Sequence, residues 1–214
     1  MMSASIGYDV FVRMLTSSAE EIRRNHELLT KLDSVGGDGD HGTTMTRAMG
    51  LLEKTIKEAS SPDMRNLLQS VGWSIMGVDG GAIGPLLGLF FAGMSDSAPT
   101  DSADAAALAL MFESGLANLR KQTKAQPGDK TLIDALVPAV EAASASAASG
   151  GDVEAVLDAA AAASAVGAEK TKEYMAKFGR ARSIKEQSIG SPDPGATSVS
   201  LIFKGFKEGV KDNA

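Results

Sequence analysis

Leu32-Asp33-Ser34-Val35-Gly36-Gly37-Asp38-Gly39-Asp40-His41-Gly42-Thr43-Thr44-Met45 sets three carboxylates, a histidine and four glycines between two segments of helical periodicity. Upstream, Val10, Phe11, Met14, Leu15, Ile22, Leu28, Leu29 and Leu32 keep helical spacing, and Met45, Met49, Leu52 and Ile56 resume it downstream. The stretch therefore reads as a turn between two helices, and that reading decides the fold. Gly37 to Gly42 formally fits G-x-G-x-x-G, but the dinucleotide fingerprint needs a preceding strand, and Glu27 to Leu32 reads as helix. Two aspartates inside the loop would also oppose a bare pyrophosphate. An EF-hand loop starting at Asp38 fails because its sixth position is Thr43 and its twelfth Met49, where glycine and glutamate are required.

Asp38 and Asp40 stand one residue apart on a glycine-rich turn and can aim their oxygens at one point, and Asp33 can join them from the end of the preceding helix. Converging carboxylates repel one another and raise each other's pKa unless a cation is present. All-oxygen ligands suit Mg2+, which usually completes its shell with substrate phosphate. Asp and Gly are ordinary turn residues, so a bare D-G-D is equally read as a solvated turn. The full D-x4-D-x-D-H-G-T-T is far more specific, and it predicts a metal–phosphate site with Asp33, Asp38 and Asp40 as ligands. The next helix would present its first amides, His41, Gly42, Thr43 and Thr44, as a phosphate seat, since those donors lack intrahelical partners and the dipole favours anions. His41 is read as a phosphate contact, and no residue is assigned as a catalytic acid or base.

The 214 residues, 43% hydrophobic and 22% charged, suffice for a sizeable core, and no composition shift divides residues 1–214, so one domain is expected. Zero cysteines exclude disulfides, thiolate metal sites and cysteine nucleophiles. No signal-peptide pattern or apolar run of spanning length occurs, and the apolar stretch Gly84 to Met94 is short and glycine-broken, a buried helix. A net charge of -6 with few aromatics argues against nucleic acid. A cytoplasmic protein with neither membrane nor nucleic acid as partner is expected.

Further along, Ser61-Pro62 predicts an N-cap and first-turn proline for a helix striped by Met64, Leu67, Leu68, Val71 and Ile75. Gly77 to Pro85 is a glycine-rich turn before the apolar helix, and Asp96 to Ser102 a polar loop. Leu108, Met111, Phe112, Gly115 and Leu119 continue the helical period. Pro127-Gly128-Asp129 breaks the chain, with Asp129 or Thr131 expected to cap the helix of Leu132, Ile133, Leu136, Val137 and Val140. The alanine-rich Glu141 to Ala168 could pass for a linker, but Asp152 as N-cap and the stripe Val153, Val156, Leu157 predict folded helices. Gly179 to Gly195 has weak periodicity and reads as a long loop, the class to which lids and binding loops belong. Within it Arg180 offers a guanidinium fork matched to phosphate oxygens. Asp193 caps a last helix carrying Val199, Ile202, Phe203, Phe206 and Val210. No segment alternates like a strand. The fold class is all-α, about eight antiparallel up-and-down helices.

Five ordered motifs, Asp33…Gly37-Asp38-Gly39-Asp40-His41-Gly42, Gly80-Gly81-Ala82-Ile83-Gly84-Pro85, Pro127-Gly128-Asp129-Lys130-Thr131, Gly179-Arg180-Ala181 and Ser188-Ile189-Gly190-Ser191-Pro192-Asp193-Pro194-Gly195-Ala196-Thr197-Ser198, resemble the nucleotide-binding L subunit of dihydroxyacetone kinase nearly from end to end. The resemblance implies an eight-helix barrel with an ADP/ATP site at one end. It implies phosphate-facing roles for Gly81, Ala82 and Ile83, adenine against Leu132, and Asp193, Pro194 and Gly195 beside the nucleotide. It further implies Mg2+, two ions, and a short ketose such as dihydroxyacetone as acceptor, bound covalently by a histidine of a separate K subunit. Because the chain opens directly on the L-type region, that K subunit is expected on another polypeptide. A phosphotransferase-system donor and a transcriptional regulator are further partners the resemblance brings in.

Two departures stand out. Similar proteins usually carry serine where this chain has Ile83, so a backbone contact survives there and a hydroxyl contact does not. The family's lid commonly reads Tyr-Leu-Gly-Glu-Arg-Ser-Ile-Gly-His, against Ser183-Ile184-Lys185-Glu186-Gln187-Ser188-Ile189-Gly190-Ser191 here. No Walker A sequence or kinase catalytic loop is present, yet the chemistry expected is phosphoryl transfer. The alternatives are a nucleotide-dependent interaction or regulatory module, or a kinase for another short sugar.

Overall fold

The computed structural model describes residues 5–211. The helices are α1 (Tyr8–Arg24), α2 (His26–Asp33), α3 (His41–Glu58), α4 (Met64–Met76), α5 (Ile83–Ser97), α6 (Ala105–Arg120), α7 (Ile133–Ala148), α8 (Val153–Lys170) and α9 (Pro194–Lys211). The expected all-α class holds. The ninth helix arises because the first apolar stripe is broken at Asn25, whose side chain donates to the Glu21 carbonyl at 2.9 Å and whose backbone leaves the helical region. Local side-chain bonds of this kind compete with helix continuation. One feature went unforeseen: β1 (Ser5–Gly7) pairs antiparallel with β2 (Ser102–Asp104). Three residues are too few to leave an alternation in the sequence.

Several caps follow the chemistry of short acidic side chains. Asp104 accepts from the Ala107 amide at 2.8 Å and Asp152 from Ala155 at 2.9 Å. Asp193 accepts from Ala196 at 2.7 Å, as expected. Helix α4 begins two residues later than Ser61-Pro62 suggested, because Asp63 takes the Asn66 amide at 2.9 Å and its side-chain amide at 2.8 Å, and so supplies the cap itself. The alanine-rich segment is α7 and α8, packed on each other.

Each helix from α3 to α9 packs on the next in sequence, α1 packs on α3, and α9 returns to α1, so eight helices close into a barrel while α2 lies against α3 and α9. Small residues permit the close pairs. A Cβ on Gly72 would lie 2.6 Å from the Ala92 amide nitrogen, and one on Gly205 would collide with the Ser18 backbone, so α4–α5 and α1–α9 approach as only glycine allows. The interior is one apolar cluster that includes Phe90, Phe91, Phe112, Phe203 and Phe206. No helix of the described residues is long and apolar enough to cross a membrane.

In an up-and-down ring, alternate connections share an end. The connections α2–α3, α4–α5, α6–α7 and α8–α9 border one cavity, and they carry the motifs singled out above.

Candidate functional site

The acidic turn is built on Asp33, the last residue of α2. Its Oδ2 accepts from the Asp40 amide at 3.1 Å and the His41 amide at 3.3 Å, and its carbonyl accepts from Gly37 at 2.6 Å. These bonds fold the glycine-rich segment back on itself and bring Asp38 and Asp40 beside Asp33. One ligand oxygen from each of the three carboxylates lies within 4.8 Å of the others. The gathered donors are all hard oxygens, and the donor set fits Mg2+.

Opposite the turn lies the connection between α8 and α9. It is less irregular than its sequence suggests, since Arg180–Ser188 forms 3-10 turns on either side of a kink at Lys185 (φ 48°), between Gly179 (φ 65°) and Gly190 (φ 97°). Left-handed backbone at those two glycines marks where the segment turns out and back. Its cation reaches across: Arg180 pairs with Asp38 and stands 3.8 Å from Asp40. Below that pair a Cβ on Gly36 would lie 2.9 Å from Ala181 Cβ and Ile184 Cδ1, so the lid rests directly on the acidic turn.

The third wall is the Pro127–Thr131 turn. Asp134, from the first turn of α7, accepts from the Gly128 amide at 2.5 Å and the Thr131 amide at 2.7 Å. Of the two expected caps of α7, Thr131 Oγ1 accepts from the Ile133 amide at 3.2 Å, and Asp129 does not cap it. Asp129 accepts from the Gln126 amide at 2.8 Å and pairs with Lys177 at 2.6 Å, and the Lys177 bond holds its carboxyl below the usual range. Asp129 thus ties this turn to the lid's entry.

The open-mouthed cavity is about 320 Å3 and has two characters. Asp33, Asp40 and Arg180 lie on one side, and Ile83, Leu86, Leu132 and Phe178 give it apolar lining. Gly81, Ala82, Asp193, Pro194 and Gly195 also border it. Burial raises the Asp193 carboxyl to about 7, against the pull of the Ala196 amide and of Lys130.

His41 borders the cavity too, but its ring is engaged elsewhere. Nε2 lies 2.8 Å from Ser198 Oγ, and the ring bonds the Pro194 backbone. Burial lowers its pKa to about 4, so it is neutral at neutral pH and braces α3 on α9. Of the other residues expected at the phosphate seat, Gly42, Thr43 and Thr44 do not line the cavity. A side chain on Gly42 would strike Thr30 and the His26 carbonyl, so this glycine serves the α2–α3 contact. Thr44 is buried under the Gly80 turn, and Thr43 is exposed with its hydroxyl 3.4 Å from His26 Nε2. Periodicity placed these residues at a helix start but could not say which way each faced.

Sequence reasoning assigned no role to Lys130, Phe178, Leu86 or Ile184, all of which line the cavity. Lys130 stands inside a quoted motif, but nothing in that motif shows that its ammonium is buried.

The class of the domain is an up-and-down helical barrel with a carboxylate cluster, an arginine-bearing lid and an apolar recess at one end. The chain belongs to the DAK2 domain family, which matches residues 35–208. It is 36% identical over 195 residues to the PEP-dependent dihydroxyacetone kinase 1, ADP-binding subunit DhaL, of Listeria innocua serovar 6a, covering 91% of this chain and 93% of the relative. It is 33% identical over 201 residues to the PEP-dependent dihydroxyacetone kinase, ADP-binding subunit DhaL, of Escherichia coli K12, covering 94% of this chain and 96% of the relative. The dihydroxyacetone kinase from C. freundii in complex with AMP-PNP and Mg2+ superposes with a TM-score of 0.71 at 25% identity, over 97% of this chain and 35% of that one.

Proposed function

We propose that this chain is, as a single domain, the nucleotide-binding subunit of a two-component dihydroxyacetone kinase. It would hold ADP or ATP in the barrel-end cavity and act with a separate ketose-binding subunit. The observation that carries this reading is the two-sided character of the cavity: clustered carboxylates and Arg180 at one side, Ile83, Leu86, Leu132 and Phe178 as apolar lining. A nucleotide has the same division between its polyphosphate and its base. The relatives described as ADP-binding subunits, and the neighbour with AMP-PNP and Mg2+, support it.

Asp33, Asp38 and Asp40 would hold Mg2+, which supplies neutralisation of phosphate charge. Arg180 would exchange its bond to Asp38 for phosphate oxygens, a match of fork to anion. The Gly81–Ile83 turn would contribute backbone only, since Ile83 has no hydroxyl. Asp193 to Gly195 would form the edge beside the base, and the lid, resting on Gly36, would exclude water. Among the described residues we assign no group to hold a ketose in line. That positioning, a large share of catalysis in phosphoryl transfer, falls to the partner subunit.

The test is titration calorimetry of ADP with and without Mg2+ on wild type and Asp38→Asn. The variant should lose about tenfold or more in Mg2+-dependent affinity with its helical circular dichroism intact. Undiminished affinity would remove the metal assignment. In a coupled assay with Mg-ATP and dihydroxyacetone, turnover should appear only once a ketose-binding subunit is added.

A further inference from the structure

Lys130 has an unusual combination of features for a lysine. It is 5% exposed, it lines the cavity, and its backbone is left-handed at φ 60°, a region L side chains rarely adopt. Backbone held there persists only where its surroundings over-determine it. Here they do: Asp134 grips the amides of Gly128 and Thr131 on either side. The result aims the side chain inward. Nζ donates to the Thr171 carbonyl at 2.6 Å and to the Ser191 carbonyl at 2.5 Å.

Those two carbonyls stand at the first residue after α8 and just after Gly190 returns the chain toward α9. One ammonium therefore spans both ends of the excursion. Neighbouring bonds close the same base: the Asp193 amide donates to Thr171 Oγ1 at 2.7 Å, and Gly190 donates to the Lys172 carbonyl at 2.8 Å. Other attachments of the lid are the exposed Arg180–Asp38 pair, the packing of Ala181 and Ile184 on Gly36, and Lys177, whose exposed ammonium and backbone amide both reach the buried Asp129; solvent competes for those two exposed cations. The Lys130 ammonium is the buried fastening. Taking it away would remove a charged donor from the part-buried Ser191 carbonyl and leave the buried Thr171 carbonyl to the Tyr174 amide at 3.2 Å, a cost borne locally by the lid's base.

We propose that Lys130 is a positioning residue, a buried ammonium that fastens both ends of the 172–190 segment carrying most of the lid and thereby fixes the Asp193–Gly195 edge of the cavity. The consequence for ligand binding rests on the nucleotide reading above. Burial lowers the Lys130 pKa, and the neighbouring Asp193 and Asp134 carboxyls oppose that fall.

The experiment compares wild type, Lys130→Met and Lys130→Arg in the full chain. Hydrogen exchange without nucleotide is read first. Residues 172–190 should exchange about tenfold faster in the methionine variant, with α1, α4 and α5 unchanged, and arginine should hold the lid near wild type. Calorimetry with Mg-ADP follows: the methionine variant should bind about tenfold more weakly and the arginine variant within about threefold of wild type. Unchanged lid exchange in Lys130→Met overturns the proposal. So does a general loss of helical signal, which would assign Lys130 to the whole fold, and so does a loosened lid with undiminished Mg-ADP affinity. If wild type itself fails to bind Mg-ADP, the nucleotide reading falls, and the exchange comparison still decides whether Lys130 fastens the lid.

Discussion

The aromatic interior and the cavity end of this barrel are stabilised by different physics. In the interior, Phe203 meets Phe112 at 5.2 Å, Phe206 at 5.7 Å and Phe90 at 6.5 Å between ring centroids, in tilted or edge geometries, with no polar group among them. Burial alone accounts for that region. At the cavity end the chain is held by aimed polar contacts and by backbone in unusual conformations. Among the described residues, positive φ occurs at Gly39, Gly80, Gly81, Gly128, Lys130, Gly179, Lys185, Gly190 and Gly150, and all but Gly150 fall in the connections bordering the cavity. The difference teaches that stability and function are spatially separated here. The barrel tolerates a strained, charged end because the Phe203 layer does not depend on it.

The strongest way to break that separation is to empty the interior. Phe203→Ala removes a fully buried ring and should cost about 3–5 kcal/mol in urea unfolding, while variants of the acidic turn leave stability nearly untouched. Asp38→Asn is the sharp counterpart: it deletes an exposed ion pair and should change unfolding free energy by less than about 0.5 kcal/mol despite its expected effect on Mg-ADP. If Asp38→Asn proves as destabilising as Phe203→Ala, the two ends are not independent.

A second effect, of intermediate size, sets two groups of the cavity end against each other. His41 titrates at about 4 in the fold, against 6.5 ordinarily. Between those values the unfolded chain binds the extra proton, so stability falls as pH is lowered. Asp193 titrates at about 7 in the fold, against 3.8 ordinarily. Between those values the native state binds the extra proton, so stability falls as pH is raised. The two slopes nearly cancel from about pH 4.5 to 6.5, at about 1.4 kcal/mol per unit each. Asp193→Asn keeps a competent helix cap and removes one slope. Denaturant unfolding at several pH values should then be flat for wild type, and should fall on acidification for the variant. A variant as flat as wild type would mean that His41 does not titrate as its burial requires.

The smallest expected effect is dynamic. Residues 179–195 should exchange amide hydrogens faster than the Phe203 layer without nucleotide and slow on addition of Mg-ADP, since Arg180 and Asp193 stand at the lid's two ends beside the cavity. Equal exchange in both conditions would make the segment a structural loop.

Much of this was legible in the residues themselves. Apolar spacing at 3.6 fixes the helices because each helix must bury one stripe, and the acidic turn stands out because three carboxylates at such spacing have little structural use. Asp152 and Asp193 are recognisable as caps because a short acceptor before an apolar stripe has few other roles. Direction was not legible. Whether His41 faces a phosphate or Ser198, whether Gly42 serves a ligand or the α2–α3 contact, and whether Asp129 caps α7 or pairs with Lys177 depend on which surfaces long-range packing brings together. The break at Asn25 and the strand pair were likewise invisible, the first because one local bond outweighs a continuous stripe, the second because Ser5–Gly7 and Ser102–Asp104 find each other only after the barrel closes. Lys130 is the clearest case. The sequence determined a lysine beside a glycine turn, and only the approach of α8 and the lid's exit turned it from a solvated side chain into a buried donor, because two backbone carbonyls separated by a whole lid must first be brought to one point.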